Sequence, residues 1–293
     1  MAENRAKTGL VMEGGAMRGL FTAGVLDVLM EEGLDRAFDG AVGVSAGATF
    51  GCNIKSRQIG RTIRYNTAYC RDWRYASWRS LFTTGDLYGA EFCYRTIPYE
   101  LDPFDVETFN KNPMKFYCVC TDARTGRPFY HYISEFTRKD MDYVQASASM
   151  PVFARPVEID GRVFLDGGTS DPIPLTYFEH KGYEKIVVLL TQPIDYVKEP
   201  ASYMPAARIL LRNYPNLIRD LEERHIHYNE RTAYVRKKEE AGVIFVIRPP
   251  QALQIGSMEK DPDQMRRVYN IGRRTMESRL NALRTYLAEK EEK

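Results

Sequence analysis

The sequence predicts an α/β fold with three layers, α/β/α, in which a mostly parallel central sheet lies between two layers of helices. Short apolar runs alternate with helical patterns over residues 8–52, as expected where parallel strands are joined through helices. Residues 186–191 and 243–247 are continuously apolar, which is typical of strands buried on both faces of a parallel sheet. Glycines stand between strand and helix at two points, where the chain must turn tightly.

The first elements alternate between strand and helix. Residues 8–13 are predicted to form a strand, residues 19–32 a helix that Gly33 terminates, and residues 41–44 a second strand. The small residues at 46–52 begin the next helix. This order predicts parallel pairing of the two strands.

The later elements follow at wider spacing. Residues 56–101 are mostly helical in pattern and rich in arginine and aromatic side chains. The remaining predicted elements are a buried strand at 114–121, its neighbour at 128–132, a hairpin over 155–165 that turns at Asp160-Gly161, and a final docking helix with Asp261 as N-cap and Pro262 in its first turn.

Length and composition are those of one globular domain. The 293 residues are 44% hydrophobic and 27% charged, which suffices for one large core. No repeat or linker divides the chain, so a single domain over residues 1–293 is predicted. The motifs lie in residues 8–191, and residues 192–293 supply further strands and C-terminal helices without a motif of their own.

The net charge and the cysteines limit the partners, compartment and cofactors that the sequence predicts. The formal net charge is +2, from 41 Lys and Arg against 39 Asp and Glu, so nothing predicts a nucleic-acid partner. The sequence predicts a cytoplasmic protein with reduced thiols, because its five cysteines are scattered and its polar N-terminus is unlike a signal peptide. No membrane span is predicted, because no apolar run reaches about 18 residues. Cys118 and Cys120 lack a second ligand pair, so no metal or cofactor is predicted.

The first chemical motif is Gly43-Val44-Ser45-Ala46-Gly47. G-x-S-x-G places a serine on a tight turn from strand to helix, where its hydroxyl stands exposed and Gly43 and Gly47 relieve crowding. A helix of small residues follows, and its N-terminus would help to bind an oxyanion. Ser45 is therefore the predicted nucleophile, although a glycine-rich turn in any α/β protein would share this pentapeptide.

A second glycine-rich segment, Glu13-Gly14-Gly15-Ala16-Met17-Arg18-Gly19, also lies between a strand and a helix. Its backbone N–H groups suit an acyl oxyanion or a phosphate. The segment lacks the Lys-Ser/Thr pair of a P-loop, and Ala16 occupies the second glycine position of the dinucleotide fingerprint. The prediction is an oxyanion hole formed by Gly14, Gly15 and Ala16, with Arg18 and Gly19 as supporting residues.

A third motif, Asp166-Gly167-Gly168, follows a short apolar strand. The two glycines allow a partner to approach the carboxylate closely, and Asp166 is the predicted proton acceptor. An ordinary Asp-Gly turn would look the same in isolation.

Together the three motifs resemble the patatin-like phospholipase family, in the family's order and over most of residues 8–191. Further similar pieces are residues 121–126 (TDARTG), 147–156 (SASMPVFARP) and 171–174 (DPIP). Ala16 departs from the third glycine that most members carry, but it keeps the backbone N–H. The resemblance implies a three-layer α/β/α fold, a Ser45–Asp166 dyad and metal-free ester hydrolysis on lipids.

A histidine triad is the alternative to the dyad. The order Ser, Asp, His requires a histidine after Asp166, which leaves His180, His225 and His227. His180 lies at the charged end of a helix, and the other two lie in a charged stretch that is typical of a solvated helix face. His131 precedes Asp166. The sequence favours the dyad, in which burial must raise the aspartate pKa from about 3.9 or the oxyanion hole must do most of the work.

Residues 71–82 combine Trp73 and Trp78 with three arginines. This mixture suits a lipid headgroup layer and would make an access flap for a lipase. A helix that packs its aromatic side chains inward is the favoured interpretation. The predicted partner is a lipid or acyl-ester substrate, with peripheral contact at the inner face of the membrane left open and the oligomeric state undetermined.

The predicted function is a lipid acyl-hydrolase of the phospholipase A or lysophospholipase type. Two alternatives stay open. One is an acyltransferase or soluble-ester esterase with the same site, and the other is a binding or regulatory protein with a vestigial site. The intact Ser45, Asp166 and glycine loop argue against the second.

Overall fold

The structure, a computed structural model, describes residues 6–288 and contains one mixed sheet with helices on both faces. Its strands are β1 Thr8–Met12, β2 Gly40–Val44, β3 Lys115–Asp122, β4 Pro128–Ile133, β5 Val157–Ile159, β6 Arg162–Asp166, β7 Lys185–Leu189 and β8 Ile244–Ile247. Its α-helices are α1 Gly19–Glu31, α2 Ala46–Thr49, α3 Cys52–Ser56, α4 Arg61–Tyr69, α5 Trp78–Thr84, α6 Val106–Lys111, α7 Arg138–Ser147, α8 Leu175–His180, α9 Met204–Leu210, α10 Pro215–Glu240 and α11 Pro262–Ala288. A π-helical segment, Phe92–Leu101, lies between α5 and α6.

The sheet is parallel over most of its width. Hydrogen-bonded neighbours follow in the order β5-β6-β3-β2-β1-β7-β8, with β6 and β2 sharing one edge of β3 and β4 paired to the other edge. Strands β3, β2, β1, β7 and β8 run parallel, because helices connect them, whereas β4 to β6 pair antiparallel. The β5–β6 hairpin turns at Asp160 and Gly161, both with positive φ. The predicted parallel sheet and hairpin are confirmed.

Core packing on both faces of the sheet makes the three layers. Along β1, Leu10 and Met12 belong to one apolar cluster and Val11 to the other, as the alternation of side chains in a strand requires. The first cluster contains side chains of α1, α7 and α11, and the second contains side chains of α8 and α10. The predicted three-layer fold is therefore confirmed.

The C-terminal third of the described chain completes both the sheet and the core. Strand β8 pairs with β7, and α11 lies directly against α1. The two helix backbones touch through glycines: a Cβ at Gly24 would lie 2.1 Å from the Tyr269 carbonyl oxygen, and one at Gly272 would lie 2.0 Å from that of Phe21. The Asp261 carboxylate accepts the Asp263 N–H at the start of α11. Docking of the final helix, with Asp261 as its cap, is confirmed.

These contacts favour the single-domain interpretation, which stays a prediction for residues 1–293. Residues 1–5 and 289–293 lie outside the described part. The first residues of the polar N-terminus, which is predicted not to be a signal peptide, are among them. No helix within residues 6–288 is long and apolar enough to cross a membrane.

Strand β3 positions the ends of two other strands against each other. On one edge, β4 pairs with Phe116 to Thr121. On the opposite edge, β2 pairs as far as Val44 with Val119, and β6 arrives from the other direction and ends with Asp166 opposite Cys120. The last residues of β2 and β6 thus meet head to head along β3.

The expected inward packing of the tryptophans is wrong. Only α4, α5 and the π-helical segment are helical within residues 56–101, and α5 begins at Trp78 itself. The exposed fraction is 37% for Trp73 and 53% for Trp78. The face that α5 buries is small and polar: Ser80 is fully buried and donates a hydrogen bond to the Asp86 carbonyl. Because α5 buries only this small polar face, its aromatic side chains remain exposed to solvent.

Candidate active site

Ser45 occupies a strained turn between β2 and α2. Its backbone has φ 55° and ψ −122°, a conformation that residues with a side chain rarely adopt. The turn closes tightly, since a Cβ at Gly43 would lie 2.3 Å from the Gly47 carbonyl oxygen and one at Gly47 would lie 2.4 Å from that of Met12. Glycine is therefore required at both flanking positions. The geometry is that of a nucleophile elbow.

Two short helices follow Ser45. Helix α2 ends at Thr49 and α3 begins at Cys52, but Phe50 and Gly51 between them keep right-handed helical backbone angles. The small residues from Ala46 to Cys52 thus begin a helical stretch, as predicted.

Asp166 is a buried carboxylate beside Ser45. Burial raises the pKa of Asp166 above that of an ordinary aspartate, and hydrogen bonding with the Ser45 hydroxyl opposes the rise most strongly. The Gly168 N–H donates to Asp166 Oδ1 over 2.7 Å, and the positive charge of Arg224 also lowers this pKa. A carboxylate that is more basic than usual and contacts a serine hydroxyl is suited to accept its proton.

The glycine-rich loop lies against the nucleophile. A Cβ at Gly14 would lie 2.8 Å from Cβ of Ser45. Within the described residues, the amides of Gly14, Gly15 and Ala16 donate no hydrogen bond to the protein, so three N–H groups are available to a ligand. Ala16 has φ 48°, in the left-handed region, which explains why a glycine suits this position. The loop therefore places unbonded backbone N–H groups beside Ser45, as an oxyanion hole would require.

Two further serines, Ser147 and Ser149, hold the backbone of Ser45 and Asp166 in place. Ser147 Oγ accepts the Ser45 N–H over 2.9 Å and donates to the Val119 carbonyl over 2.6 Å. The Ser149 carbonyl accepts the Asp166 N–H over 2.9 Å. The Ser-Ala-Ser piece at 147–149 was recognised only as part of the resemblance, and its contacts give it a physical function.

Glu13 joins three segments beneath the loop. It is 2% exposed, and its carboxylate accepts the Thr191 N–H over 2.6 Å and the Tyr228 hydroxyl over 2.6 Å. Thr191 follows β7, and Tyr228 lies on α10. A buried carboxylate with both oxygens bonded ties the loop to the sheet and to the C-terminal half of the chain.

One face of helix α10 is turned toward the site, whereas the face that holds His227 is exposed, so the interpretation as a solvated face is correct for only part of the helix. Its buried side chains are Leu217, Leu221, Tyr228 and Val235. Arg224 lies on the same side, and its Nε donates to the Gly168 carbonyl over 2.7 Å. The helical spacing of these residues was present in the sequence but was masked by the charged residues between them.

Among the described residues, none of the four histidines has a hydrogen bond or ion pair with Ser45 or Asp166, and Nδ1 of His225, on α10, is buried without a partner. His131 contacts Asp140 over 2.7 Å, and His180 ends α8. His227 contacts Glu223 and Glu230 on the surface of α10. In the part of the chain described, no histidine lines either of the cavities that reach Ser45.

Two cavities meet at Ser45. The narrow one, of about 80 Å³, is lined mainly by apolar and aromatic side chains, among them Phe50, Tyr65, Tyr94, Ile97, Phe104 and Val144. The wider one, of about 620 Å³, has a mixed lining and is called the polar cavity because it holds Asp166, the glycine loop and the charged side chains of Arg18, Lys198 and Arg224. Its other lining residues include aromatic and apolar side chains, among them Trp78, Leu87, Phe153 and Met258. Ala16, Ser45 and Met150 line both. The charged groups of the site therefore lie in the wider cavity, and the narrow cavity is mainly apolar.

No group of three or more His, Cys, Asp or Glu side chains among residues 6–288 has a metal-binding arrangement. Cys118 and Cys120 are buried free thiols, and burial raises the pKa of Cys120.

Two families match this chain. Residues 10–179 match the family described as "Patatin-like phospholipase", and residues 214–288 match one described as "Domain of unknown function (DUF6363)". The first match contains Ser45, Asp166 and the glycine loop. The second contains Arg224 and Tyr228.

Several proteins share sequence with this chain. "Uncharacterized protein YjjU" of Escherichia coli (strain K12) is 29% identical over 275 residues, which cover 90% of this chain and 74% of that protein. "Lysophospholipase nte1" of Aspergillus oryzae is 28% identical over 190 residues, which cover 64% of this chain and 12% of that protein. "Lysophospholipase NTE1" of Kluyveromyces lactis is 26% identical over 283 residues, which cover 90% of this chain and 18% of that protein. The chain thus spans only a small part of either lysophospholipase.

Among solved structures, VipD from Legionella pneumophila aligns with a TM-score of 0.47 at 12% identity, covering 95% of this chain and 67% of that chain.

Proposed function

Because the chain belongs to the patatin-like phospholipase family, we propose that it is a lipid acyl-hydrolase in which Ser45 is the nucleophile and Asp166 the general base. The names of the two lysophospholipase relatives support an acyl ester of a lipid as the bond cleaved. The proposal is carried by one observation: Ser45 in its strained turn contacts the buried Asp166 at the point where an apolar cavity and a polar cavity meet.

In the proposed first half-reaction, Ser45 Oγ attacks the ester carbonyl carbon and its proton passes to Asp166. The carbonyl oxygen becomes an oxyanion that the amides of Gly14, Gly15 and Ala16 stabilise. When the tetrahedral intermediate collapses, the bond to the alcohol breaks, and the departing alkoxide takes the proton from Asp166. An acyl-serine remains.

In the second half-reaction, a water molecule replaces the alcohol. Asp166 accepts a proton from this water as its oxygen attacks the acyl-serine carbonyl. Collapse releases the fatty acid, and the Asp166 proton returns to Ser45 Oγ. Asp166 cycles between charged and neutral forms, and its raised pKa favours the proton-accepting step of each half-reaction.

The two cavities suit the two ends of such a substrate. The narrow cavity offers apolar and aromatic contacts to an acyl chain, since burial of each CH₂ group contributes about 0.8 kcal/mol. The polar cavity would hold the alcohol part. Peripheral contact with a membrane would bring lipid to this opening, and it is proposed together with the activity.

Hydrolysis of a short soluble acyl ester tests the proposal. Ser45→Ala is expected to remove turnover, with a loss of at least about 1,000-fold. Ser134→Ala is the matched control, because Ser134 is exposed, lies outside both cavities and its hydroxyl makes no hydrogen bond with the described residues. The control is expected to keep the wild-type rate. Full activity in Ser45→Ala would refute the proposal.

A further inference from the structure

Thr191 contacts the glycine loop from the side away from the cavities. It follows β7, is fully buried and lines neither of the cavities that reach Ser45. Its Oγ1 lies 2.9 Å from the Gly14 carbonyl oxygen and 3.2 Å from Oε2 of Glu13. A threonine hydroxyl has one proton to donate, and the Thr191 N–H already donates to the same Glu13 oxygen over 2.6 Å. The hydroxyl proton therefore serves the nearer acceptor, the Gly14 carbonyl.

This contact fixes the direction of the peptide unit between Gly14 and Gly15. In a trans peptide, such as this one, the C=O and the N–H point to opposite sides. Because the Gly14 carbonyl points to the buried Thr191, the Gly15 N–H points to the other side, where the loop lines the polar cavity beside Ser45. That N–H donates to no protein atom within residues 6–288, so it is available to an oxyanion.

The loop by itself does not fix this orientation. Gly14 and Gly15 lack side chains, and glycine adopts backbone angles that other residues avoid, so the peptide unit between them meets little intrinsic resistance to rotation. Rotation by half a turn would exchange the C=O and the N–H, and a carbonyl oxygen would then face the oxyanion. A Cβ at Gly15 would lie 2.6 Å from Thr191 Oγ1, so the loop and the threonine are in direct contact. The Thr191 hydroxyl thus favours the orientation that presents a donor.

Glu13 and Tyr228 hold Thr191 in place. Oε2 of Glu13 accepts the Thr191 N–H, and Oε1 accepts the Tyr228 hydroxyl of α10 over 2.6 Å. Burial, followed by the charge of Glu13, raises the pKa of Tyr228 above that of an ordinary tyrosine, so its hydroxyl keeps the proton that it donates. The Glu13 N–H donates to the Leu189 carbonyl at the end of β7 over 3.0 Å. Buried hydrogen bonds therefore run from α10 through Glu13 and Thr191 to the glycine loop.

We propose that Thr191 and Tyr228 are positioning residues of the oxyanion hole, which turn the Gly15 N–H toward the carbonyl oxygen of the substrate. This inference rests on the proposed acyl-hydrolase function. Thr191 lies beyond residue 179 and Tyr228 within residues 214–288, so both lie outside the match to the phospholipase family. The C-terminal region thereby takes part in the reaction by orienting a backbone donor.

The first test measures hydrolysis of a soluble butyryl ester. Thr191→Val keeps the branched shape of the side chain but removes its hydroxyl, and Tyr228→Phe removes the hydroxyl that binds Glu13. Each variant is expected to lower kcat at least about tenfold, since loss of one whole oxyanion donor costs about 100- to 1,000-fold. KM should change less than about threefold, because the N–H acts mainly on the transition state. Thr191→Ser keeps the hydroxyl and should retain kcat within about threefold.

Tyr234→Phe and Thr22→Val are the matched controls. The Tyr234 hydroxyl also donates from α10 to a carboxylate, that of Glu179, over 2.8 Å, but Tyr234 lines neither cavity at the nucleophile. Thr22, on α1, is fully buried, and its Oγ1 has no hydrogen-bond partner in the described protein. Both controls are expected to keep the wild-type kcat. If either Thr191→Val or Tyr228→Phe kept it as well, the proposal would be overturned.

Inhibition by a butyl trifluoromethyl ketone separates the orientation of the N–H from general damage to the site. This ketone adds to a serine hydroxyl and forms a tetrahedral adduct whose oxyanion occupies the oxyanion hole. Thr191→Val and Tyr228→Phe should weaken its inhibition by about the factor by which they lower kcat. Inhibition by butyl methyl ketone, which forms no stable adduct, should change less than about threefold. A lowered kcat with unchanged trifluoromethyl ketone inhibition, or equal losses for both ketones, would contradict the positioning role.

The wild-type protein tests the underlying activity separately. Absence of both ester hydrolysis and trifluoromethyl ketone inhibition in the wild type would refute the acyl-hydrolase function, and the positioning role with it. A wild type that hydrolyses the ester, together with a folded Thr191→Ser that is as slow as Thr191→Val, would refute the positioning role and keep the activity. Tyr228→Phe acts on the same hydrogen bonds from another helix, so it decides the question if the melting temperature shows that Thr191→Val does not fold.

Discussion

Ser45 has φ 55° and ψ −122°, a combination that costs a residue with a side chain about 1–3 kcal/mol, and Asp166 holds a charge that its surroundings disfavour. Both features store free energy at the point where the reaction is proposed to occur. The polar residues Ser147 and Ser149 and the Gly168 N–H hold these two residues in place. Replacing either reacting residue should therefore not weaken the fold.

Asp166→Asn is expected to be at least as stable as the wild type at pH 8, while its activity is lost. The raised pKa of Asp166 means that its carboxyl contributes stability below the unfolded-state pKa of about 3.9, and that this contribution is lost as pH rises through the folded-state pKa. The free energy of unfolding, measured with urea, should be at least as large for the variant as for the wild type at pH 8. The difference between the two proteins should shrink as pH falls toward about 4.

Asp171→Asn is the matched comparison for this measurement. Asp171 is also buried with a raised pKa, but its carboxylate accepts a hydrogen bond from Tyr130 and lines neither cavity that reaches Ser45. This variant is expected to keep its activity. An Asp166→Asn protein that is clearly less stable than the wild type at pH 8 would contradict the interpretation of Asp166 as a strained carboxylate.

Several elements position the site, and the sequence predicted some of them well. Strands β1, β2 and β6 and helix α1 were predicted within one or two residues, because continuous apolar runs and glycines mark their ends. The close approach of Ser45 and Asp166 depends on β2 and β6 sharing one edge of β3, which no local pattern reveals. Local motifs thus identified the residues, and only the sheet register brought them together.

Helix α10 shows why the rest could not be predicted. Arg224 and Tyr228 are four residues apart and share one face, but the Glu, Arg and His residues around them give the segment a polar average. Their partners, Gly168 and Glu13, are distant in sequence. Long-range polar contacts of this kind leave no periodic signal. In the short helix α5 the sequence pattern was misleading in the other direction. Its aromatic residues suggested side chains packed inward, but the residue that α5 buries is Ser80.

The C-terminal end of α7 offers a test of the apolar cavity as the acyl site. Ala148 follows this helix and lines the narrow cavity. Ala148→Leu should fill part of its volume of about 80 Å³, and overpacking typically costs about 1–3 kcal/mol. The kcat/KM for octanoyl esters should fall roughly tenfold relative to acetyl esters.

Ala233→Leu is the control for chain length, because Ala233 is an exposed residue of α10 outside both cavities. It should leave the ratio between the two esters unchanged. If Ala148→Leu lowered kcat/KM equally for both esters, the acyl chain would have to bind elsewhere.

At the scale of the whole molecule, exposed apolar side chains lie beside the opening of the polar cavity. Trp78 lines that cavity and is 53% exposed, and Phe82 on the same helix is 84% exposed. Val197, between the lining residues Tyr196 and Lys198, is 64% exposed. Aromatic and apolar side chains at the entrance of a lipid site suit insertion into a membrane surface.

Changing Trp78 and Phe82 together to Ala is expected to weaken binding to phospholipid vesicles by at least about tenfold, since burial of one large apolar side chain contributes about 1.5–3 kcal/mol. Turnover of a soluble butyryl ester should change less than threefold. Ile226→Ala, on α10 and outside both cavities, should not alter vesicle binding. An equal loss of vesicle binding and of soluble-ester turnover would show that the two side chains support the site and do not contact lipid.

The Ser45–Asp166 dyad is tested most directly by the rate of Ser45 labelling with a fluorophosphonate in the wild type, Asp166→Asn and the four single variants of His131, His180, His225 and His227 to Ala. If Asp166 is itself the base, Asp166→Asn should lose labelling about as completely as Ser45→Ala, because nucleophile and base act as a unit. The four histidine variants should remain within a few-fold of the wild type. One histidine variant that is folded but labels as slowly as Asp166→Asn would contradict the dyad and restore a triad.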